Sequence, residues 1–299
     1  MLRQDKEILQ FDTIQVDNEI NKNNEYKLDT EETKILIKYN LKNEKEQKYF
    51  SIIEIKNVCK YIGIISDNFT KEKLGINYYG NKDIYLGEWK NNLKEGNGLY
   101  IYDNPNNKKE IYIGKWDKGF KFGKGIYIIS NENFTDCTIF FGNTNNDNFE
   151  NGYIIENNKI RKLYKGKLKD LKKDDDNGIL LEGIDKAFFG KFKNDEIIEG
   201  NTVIYNIEGG EVKIINIFNF KIIDEKTNNY NFEVINDLNY GNYAQIINEL
   251  LQKKYFENIE KYFHKLINTF KENEDNKVFE QNINDESILN LLKNYEDII

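Results

Sequence analysis

The 299-residue chain has one proline, one histidine, one methionine, two cysteines and two tryptophans. Each scarcity excludes something. The single histidine, His264, is too few for most nucleophilic schemes, which need a histidine oriented by a carboxylate. It sits in an amphipathic stretch and reads as a helix boundary residue. Cys59 and Cys137 fit neither a disulfide framework nor a metal-ligand spacing. They read as small buried hydrophobes in a reducing compartment. No apolar run approaches the roughly 20 residues of a membrane span. The opening Met1-Leu-Arg-Gln-Asp-Lys-Glu7 lacks the apolar core of a signal peptide and is too acidic for a transit peptide.

Other motifs fail on spacing. Asp174-Asp-Asp-Asn-Gly178 has the composition of a calcium loop. Starting the loop at Asp174 puts Ile179 where glycine belongs, and starting it at Asp170 puts Lys172 at a ligand position. A polar hairpin tip is the simpler reading. Glu208-Gly-Gly-Glu211 reads as a tight hairpin turn. No cofactor, metal set or catalytic constellation emerges, and the chain is expected not to be an enzyme. Net charge is −8, divided as −4 over residues 1–35, +3 over 36–223 and −7 over 224–299. Because phosphate contacts supply most non-specific nucleic-acid affinity, a near-neutral centre with acidic flanks argues against nucleic acid. The same charges disfavour an anionic membrane surface without excluding a local basic strip.

What the chain does have is a repeat. Tyr85-Leu-Gly87-Glu-Trp89 followed by Gly96-Asn-Gly98 recurs as Tyr112-Ile-Gly114-Lys-Trp116 followed by Gly123-Lys-Gly125. Weaker copies begin at Tyr61 with Gly63, Phe140 with Gly142, Tyr164 with Gly166 and Phe188 with Gly190, and one more step of 24 lands on Val212, where the glycine is lost. From Tyr61 the starts are separated by 24, 27, 28, 24 and 24 residues. A fixed period in this range marks a repeat architecture. Each copy alternates with period 2, turns, and alternates again, which predicts two strands per unit. A lone hairpin is marginal in water, so the units must stack. The glycines at positions 3, 12 and 14 are expected to be floors for neighbouring aromatic rings, since glycine weakens a strand unless a bulky group approaches closely. A phosphate cradle would need a helix after the strand, and here strand follows strand.

Four regions are expected. Residues 1–33 form an extended polar arm that orders on a partner. Residues 34–223 form the β-repeat domain, with 34–58 capping it. Residues 224–241 link it to a C-terminal helical hairpin over 242–299. Ile247, Leu250, Leu251, Ile259, Tyr262, Phe263, Leu266, Ile267 and Phe270 make one face of a helix of about 28 residues. A second helix begins near Asp285, a plausible N-cap, and presents Ile288, Leu292, Tyr295 and Ile299. The hairpin is expected to pack on the sheet end or on another protein.

The template Y-x-G-x-W-x-x-G-x-x-x-G-x-G resembles the MORN repeat (membrane occupation and recognition nexus). Tyr112, Gly114, Trp116, Gly119, Gly123 and Gly125 match every position, whereas the copy at Tyr85 has Asn92 for the middle glycine. The outer copies replace the tryptophan by Ile65, Thr144, Leu168 and Phe192. The resemblance implies an elongated, twisted, single-layer antiparallel sheet of about six to seven hairpins. It also implies a non-catalytic scaffold: a cytoplasmic, cytoskeleton-associated protein, for example in a cilium or axoneme within a radial-spoke-like complex, as in some protist relatives. The abundance of Asn, Lys and Ile suits an AT-rich genome of that kind. Partners are expected to be protein subunits, engaged by the arm, the sheet face or edge, and the C-terminal helices. An open edge also invites pairing of two copies. The alternative is a phospholipid-binding or membrane-tethering module.

Overall fold

The computed structural model describes residues 25–29, 33–39, 48–56, 58–66, 68–103, 108–131, 136–224, 229–234, 240–274, 290 and 292–297. The chain falls into two compact units. The first comprises Met1–Gly125 with Phe263–Asp297, and the second Ile126–Tyr262 with Ile298–Ile299.

The first unit is an antiparallel meander of β1 (Glu25–Asp29), β2 (Thr33–Tyr39), β3 (Lys48–Ile55), β4 (Cys59–Ser66), β5 (Lys71–Tyr79), β6 (Ile84–Lys90), β7 (Leu93–Tyr102) and β8 (Lys109–Asp117). The unit boundary, at Gly125, falls inside β9 (Phe120–Ser130). The second unit continues with β10 (Cys137–Asn145), β11 (Asn148–Asn157), β12 (Lys162–Lys169), the two-residue β13 (Lys172–Lys173), β14 (Asp175–Glu182), β15 (Lys186–Lys193), β16 (Glu196–Glu208), β17 (Glu211–Asp224) and β18 (Asn229–Val234). The fold is mainly β with helices at the C-terminal side, as the pattern predicts. The expected arm over 1–33 contains β1, which pairs with β2, and its residues 1–24 lie outside the described residues. The expected linker over 224–241 contains β18.

Strand register explains the motif. In a sheet, residues of paired strands that face each other form columns. Positions 1, 2 and 3 of the first unit's repeats generate three such columns. Tyr61, Asn77, Tyr85, Tyr100 and Tyr112 are successive partners. Beside them run Ile62, Ile76, Leu86, Leu99 and Ile113, and then Gly63, Gly75, Gly87, Gly98 and Gly114. Because side chains alternate between faces, the tyrosines and glycines share one face and the aliphatic column takes the other. Tyr61, Tyr85, Tyr112, Ile76, Leu86, Leu99 and Ile113 are all buried, so both faces of these strands are packed at their centre.

The expected helix of about 28 residues is broken in two. Helix α1 spans Tyr240–Gln252 and α2 spans Tyr255–Glu274. Lys254 between them takes a left-handed φ of 47°, which no helix interior accommodates. Within the second unit α1 packs on the sheet face rather than its end. Ile247 and Leu250 join Leu181, Ala187, Val203, Tyr205, Val212 and Ile217 in one apolar cluster. The expected start of the last helix near Asp285 lies outside the described residues. The described end of the chain is one 3₁₀ turn, Asn294–Asp297. Glu208-Gly-Gly-Glu211 is a two-residue turn between β16 and β17, as expected. The acidic run at Asp174 is no hairpin tip. It forms a bulge in β14, where the register shifts between Asp175 and Gly178 and Asp175 accepts the Lys167 N–H at 2.7 Å.

Candidate functional site

The repeat face is built from tyrosine outward. Each position-1 tyrosine lies flat over two glycines, its own position 3 and the glycine facing it. A Cβ on Gly63 would come 2.7 Å from the Tyr61 ring, on Gly98 2.5 Å from the Tyr85 ring, and on Gly125 2.7 Å from the Tyr112 ring. The hydroxyl then reaches the backbone carbonyl three residues on: Tyr61 to Ile64 at 2.8 Å, Tyr85 to Glu88 at 2.9 Å, Tyr112 to Lys115 at 3.2 Å and Tyr164 to Lys167 at 3.0 Å. Burial, reinforced by Glu72 for Tyr61 and by Tyr79 for Tyr85, holds both hydroxyls well above the ordinary tyrosine range. They remain donors at any physiological pH.

The tryptophans wedge between successive tyrosines. Trp89 meets Tyr85 edge-on at 4.9 Å and Tyr61 at 5.8 Å, while Trp116 meets Tyr112 at 5.3 Å and Tyr85 at 5.4 Å. This is the favourable arrangement of ring quadrupoles. Each indole N–H donates to a glycine carbonyl, Trp89 to Gly75 at 3.1 Å and Trp116 to Gly98 at 3.3 Å. Position 12 is not a floor: Gly96 has φ 58° with the Glu88 carboxylate where a Cβ would go, a left-handed conformation inside β7 at its register shift against β6 that glycine adopts without cost.

A row of lysines escaped the sequence reading. Lys71, Lys94, Lys121 and Lys173 are all buried. Lys71 lies 4.6 Å over the Trp89 ring and 5.0 Å over Tyr61. Lys94 lies 4.6 Å over both Trp116 and Tyr100, and Lys121 lies 5.0 Å over Tyr112. Their stems cover the rings and their ammonium groups face the π clouds. Lys71 also donates to Asn77 Oδ1 at 2.6 Å. Burial pulls its pKa down to about 8, with Cys59 pushing up and Lys94 pushing further down. Lys173 instead pairs with Glu156 at 2.5 Å. The legible signal is position 10, two residues before Gly96 and Gly123 in the sharp copies.

The phenylalanine-led copies are built differently. Gly142 and Gly152, and Gly190 and Gly200, are register partners, and the atoms nearest a Cβ built on any of them are backbone rather than ring. A Cβ on Gly190 would meet the Glu199 carbonyl, with Gly200 Cα at 2.6 Å. Position 1 keeps a buried ring, Phe140 or Phe188, and further aromatics stand at position 2, on the helix side. Phe141 and Tyr153 contact Tyr255 of α2 at 4.8 and 4.9 Å, and Phe189 contacts Tyr243 of α1 at 4.7 Å. Phe192 keeps the tryptophan's place, edge-on to Phe188 at 5.4 Å and to Tyr164 at 5.0 Å.

In the first unit the C-terminal turn seats on the face opposite the tyrosines. Leu292 and Tyr295 are fully buried. The Tyr295 hydroxyl lies 3.2 Å from the Lys124 carbonyl and 3.4 Å from Asn97 Oδ1, and Glu296 pairs with Lys115 at 3.0 Å. Asn97 and Lys115 face each other across β7 and β8. Glu88 accepts the Asn97 backbone N–H at 2.6 Å and its side-chain amide at 3.4 Å, which leaves the Asn97 oxygen turned towards Tyr295.

Both cysteines are buried thiols. Among the described residues no cluster of three or more His, Cys, Asp or Glu could hold a metal ion, and no helix is long and apolar enough to cross a membrane. Register columns, ring-over-glycine packing and stacked hairpins define a β-hairpin repeat protein. The family model of the MORN repeat matches residues 85–104 and 112–134, so the chain carries MORN repeats in these two segments. No curated protein matches it.

Proposed function

We propose that the chain is a non-catalytic docking protein within a larger assembly, with the repeat sheet as a rigid platform. One observation carries this reading. The polar groups that define the motif are consumed inside the sheet, tyrosine hydroxyls by carbonyls three residues on and indole N–H groups by glycine carbonyls. The repeated residues therefore build a surface and leave recognition to the variable positions and flanks. MORN repeats occur in scaffold and membrane-binding proteins and are generally not enzymes. Protein subunits are the partners that fit, engaged through the N-terminal residues, the sheet face or edge, and the C-terminal helices. A second copy of the chain is a further candidate at the edge. A cytoskeletal or ciliary assembly is the specific setting proposed, by analogy with the scaffold members of the family. Crosslinking in the native cell tests the role: stable neighbours are expected, and recovery as a free monomer would sink it. A tagged copy should localise to cytoskeletal structures, and an exclusively nuclear signal would remove that setting.

The lipid-binding alternative draws on one feature. Leu93, Phe120 and Phe122 stand 37%, 48% and 49% exposed at hairpin ends beside Lys118. Apolar tips flanked by cations suit a membrane interface. Salt-resistant co-sedimentation with phosphoinositide liposomes that Phe120→Asp abolishes would favour it over protein docking.

A further inference from the structure

The C-terminal turn is held by chemistry that its position in the chain does not explain. Tyr295 lies 198 residues from Asn97 and 171 from Lys124, yet both of these sheet residues accept its hydroxyl. Two carbonyl-type oxygens await one hydroxyl, Lys115 stands beside the next residue's carboxylate, and Glu88 fixes Asn97 so that its oxygen faces outward. The acceptors come from position 13 of the two sharpest repeats, Asn97 and Lys124, and the cation from position 4 of the second. In a 3₁₀ or α turn, residues three apart lie on one side. That spacing brings Leu292 and Tyr295 together into the sheet and leaves Lys293 and Asn294 exposed. The recognised pattern is thus Leu-x-x-Tyr-Glu in a single helical turn.

Resting on the docking role above, we propose that this seat is a binding site for short Leu-x-x-Tyr-acidic segments of partner proteins. The chain's own residues 292–296 fill it in cis. Covalent attachment contributes only an effective concentration, which for two groups joined through a linker is on the order of millimolar. A partner segment of the same chemistry displaces the turn once its affinity or local concentration exceeds that limit. The cis turn therefore sets a threshold that weak, non-specific segments do not cross.

The probe is a fluorescent peptide of residues 288–299, titrated against the full chain and against full chain carrying Leu292→Ala with Tyr295→Ala. Binding at least about tenfold tighter to the double variant is expected, because the variant's own turn no longer competes. Lys115→Glu in that background should abolish binding, and a peptide carrying Glu296→Lys should restore it. Equal affinity for both chains, or no response to the charge exchange, overturns the proposal. Should the double variant unfold, hydrogen exchange on the unsubstituted chain decides. Millimolar peptide should speed exchange at 292–297, and unchanged protection overturns the proposal. A dimer of the unsubstituted chain that the substitutions dissolve assigns the seat to a second copy and overturns the partner-segment reading. Stable neighbours in native crosslinking together with no peptide binding would keep the docking role and discard this seat.

Discussion

The phenylalanine-led copies carry aromatic mass on both faces of a backbone pattern that the tyrosine-led copies load, at positions 1 and 2, on one face only. In the copies at 61, 85 and 112 the position-1 ring lies over paired glycines, and position 2 is Ile62, Leu86 and Ile113. In the copies at 140 and 188 the glycine pairs lie beneath neighbouring carbonyls, and Phe141 and Phe189 at position 2 meet the helix tyrosines. A hydroxyl makes the difference at position 1. It can close on the carbonyl three residues on, which pins the ring flat, and a phenyl ring has no such anchor. The repeat is therefore two separable devices, a glycine column that sets close strand approach and an anchored ring that covers it. The second has been given up where helices cover the other face.

The largest expected effect asks whether Trp116 and Phe192 do one job. Trp116→Ala and Phe192→Ala should each cost about 3–5 kcal/mol, the range for emptying a buried aromatic site. In a chain of this size that lowers Tm by roughly 6–20 °C. Differential scanning calorimetry would read it, and a loss confined to Trp116 would mean that Phe192 only fills space.

Next comes pH, where Lys71 of the tyrosine-led copies works against the buried thiol and hydroxyls, Cys137 among them, whose burial raises their pKa. Below about pH 8 Lys71 is protonated in both folded and unfolded chains, so the cost of burying its charge is present in full. Between about 8 and its ordinary 10.5 the folded state has released a proton that the unfolded state still holds. Stability therefore rises with pH across that window, by on the order of 3 kcal/mol for the whole shift. Above about 10 unfolded tyrosines ionise while Tyr61 and Tyr85 stay protonated in the fold, so stability falls again. Urea midpoints from pH 7 to 11 should peak between these limits. Lys71→Met should remove the rise and keep the fall, and an unchanged rise would assign it elsewhere.

Much of this was written in the chain. Period-2 alternation with constant offsets yields both the strands and the ring-over-glycine contact, because position 3 is forced onto the face of position 1. Position 12 was misleading, since a bulge glycine such as Gly96 and a floor glycine such as Gly98 are one letter. The lysines at position 10 were hidden because a cation reads as solvated until a ring is placed beneath it. The break at Lys254 gave no sign, as neither glycine nor proline marks it and the apolar spacing resumes at Ile259. Phe141 and Phe189 stood at a position the template leaves open, and only the helices packed above them give that position meaning.

A sharper test separates ring from backbone. Gly98→Ala places its Cβ 2.5 Å from the Tyr85 ring, and Gly190→Ala places its Cβ 2.6 Å from Gly200 Cα. Each should cost about 1–3 kcal/mol as overpacking. In the first case the obstacle is a side chain, so Gly98→Ala made on Tyr85→Ala should cost much less than on the unsubstituted chain. In the second the obstacle is backbone, and Phe188→Ala should give Gly190→Ala no relief. Thermal melts of the two double-mutant cycles would show coupling in one and additivity in the other. Equal coupling in both would erase the distinction between the two kinds of copy.

The smallest expected effect isolates the anchor itself. Tyr85→Phe keeps the ring and removes the hydroxyl that donates to the Glu88 carbonyl at 2.9 Å. The ring is buried, so the abandoned carbonyl loses its partner at about 1–2 kcal/mol, or roughly 2–8 °C in Tm. Phe188→Tyr is the reverse change and should gain nothing. Its glycine partner Gly190 lies against the Glu199 carbonyl rather than under a ring, so no flat site waits for the added hydroxyl. If Phe188→Tyr stabilises the chain by as much as Tyr85→Phe weakens it, the phenylalanine-led copies are damaged versions of the tyrosine-led ones. If it does not, they are a second design, in which the glycine column is kept without an anchored ring and the helices cover the opposite face.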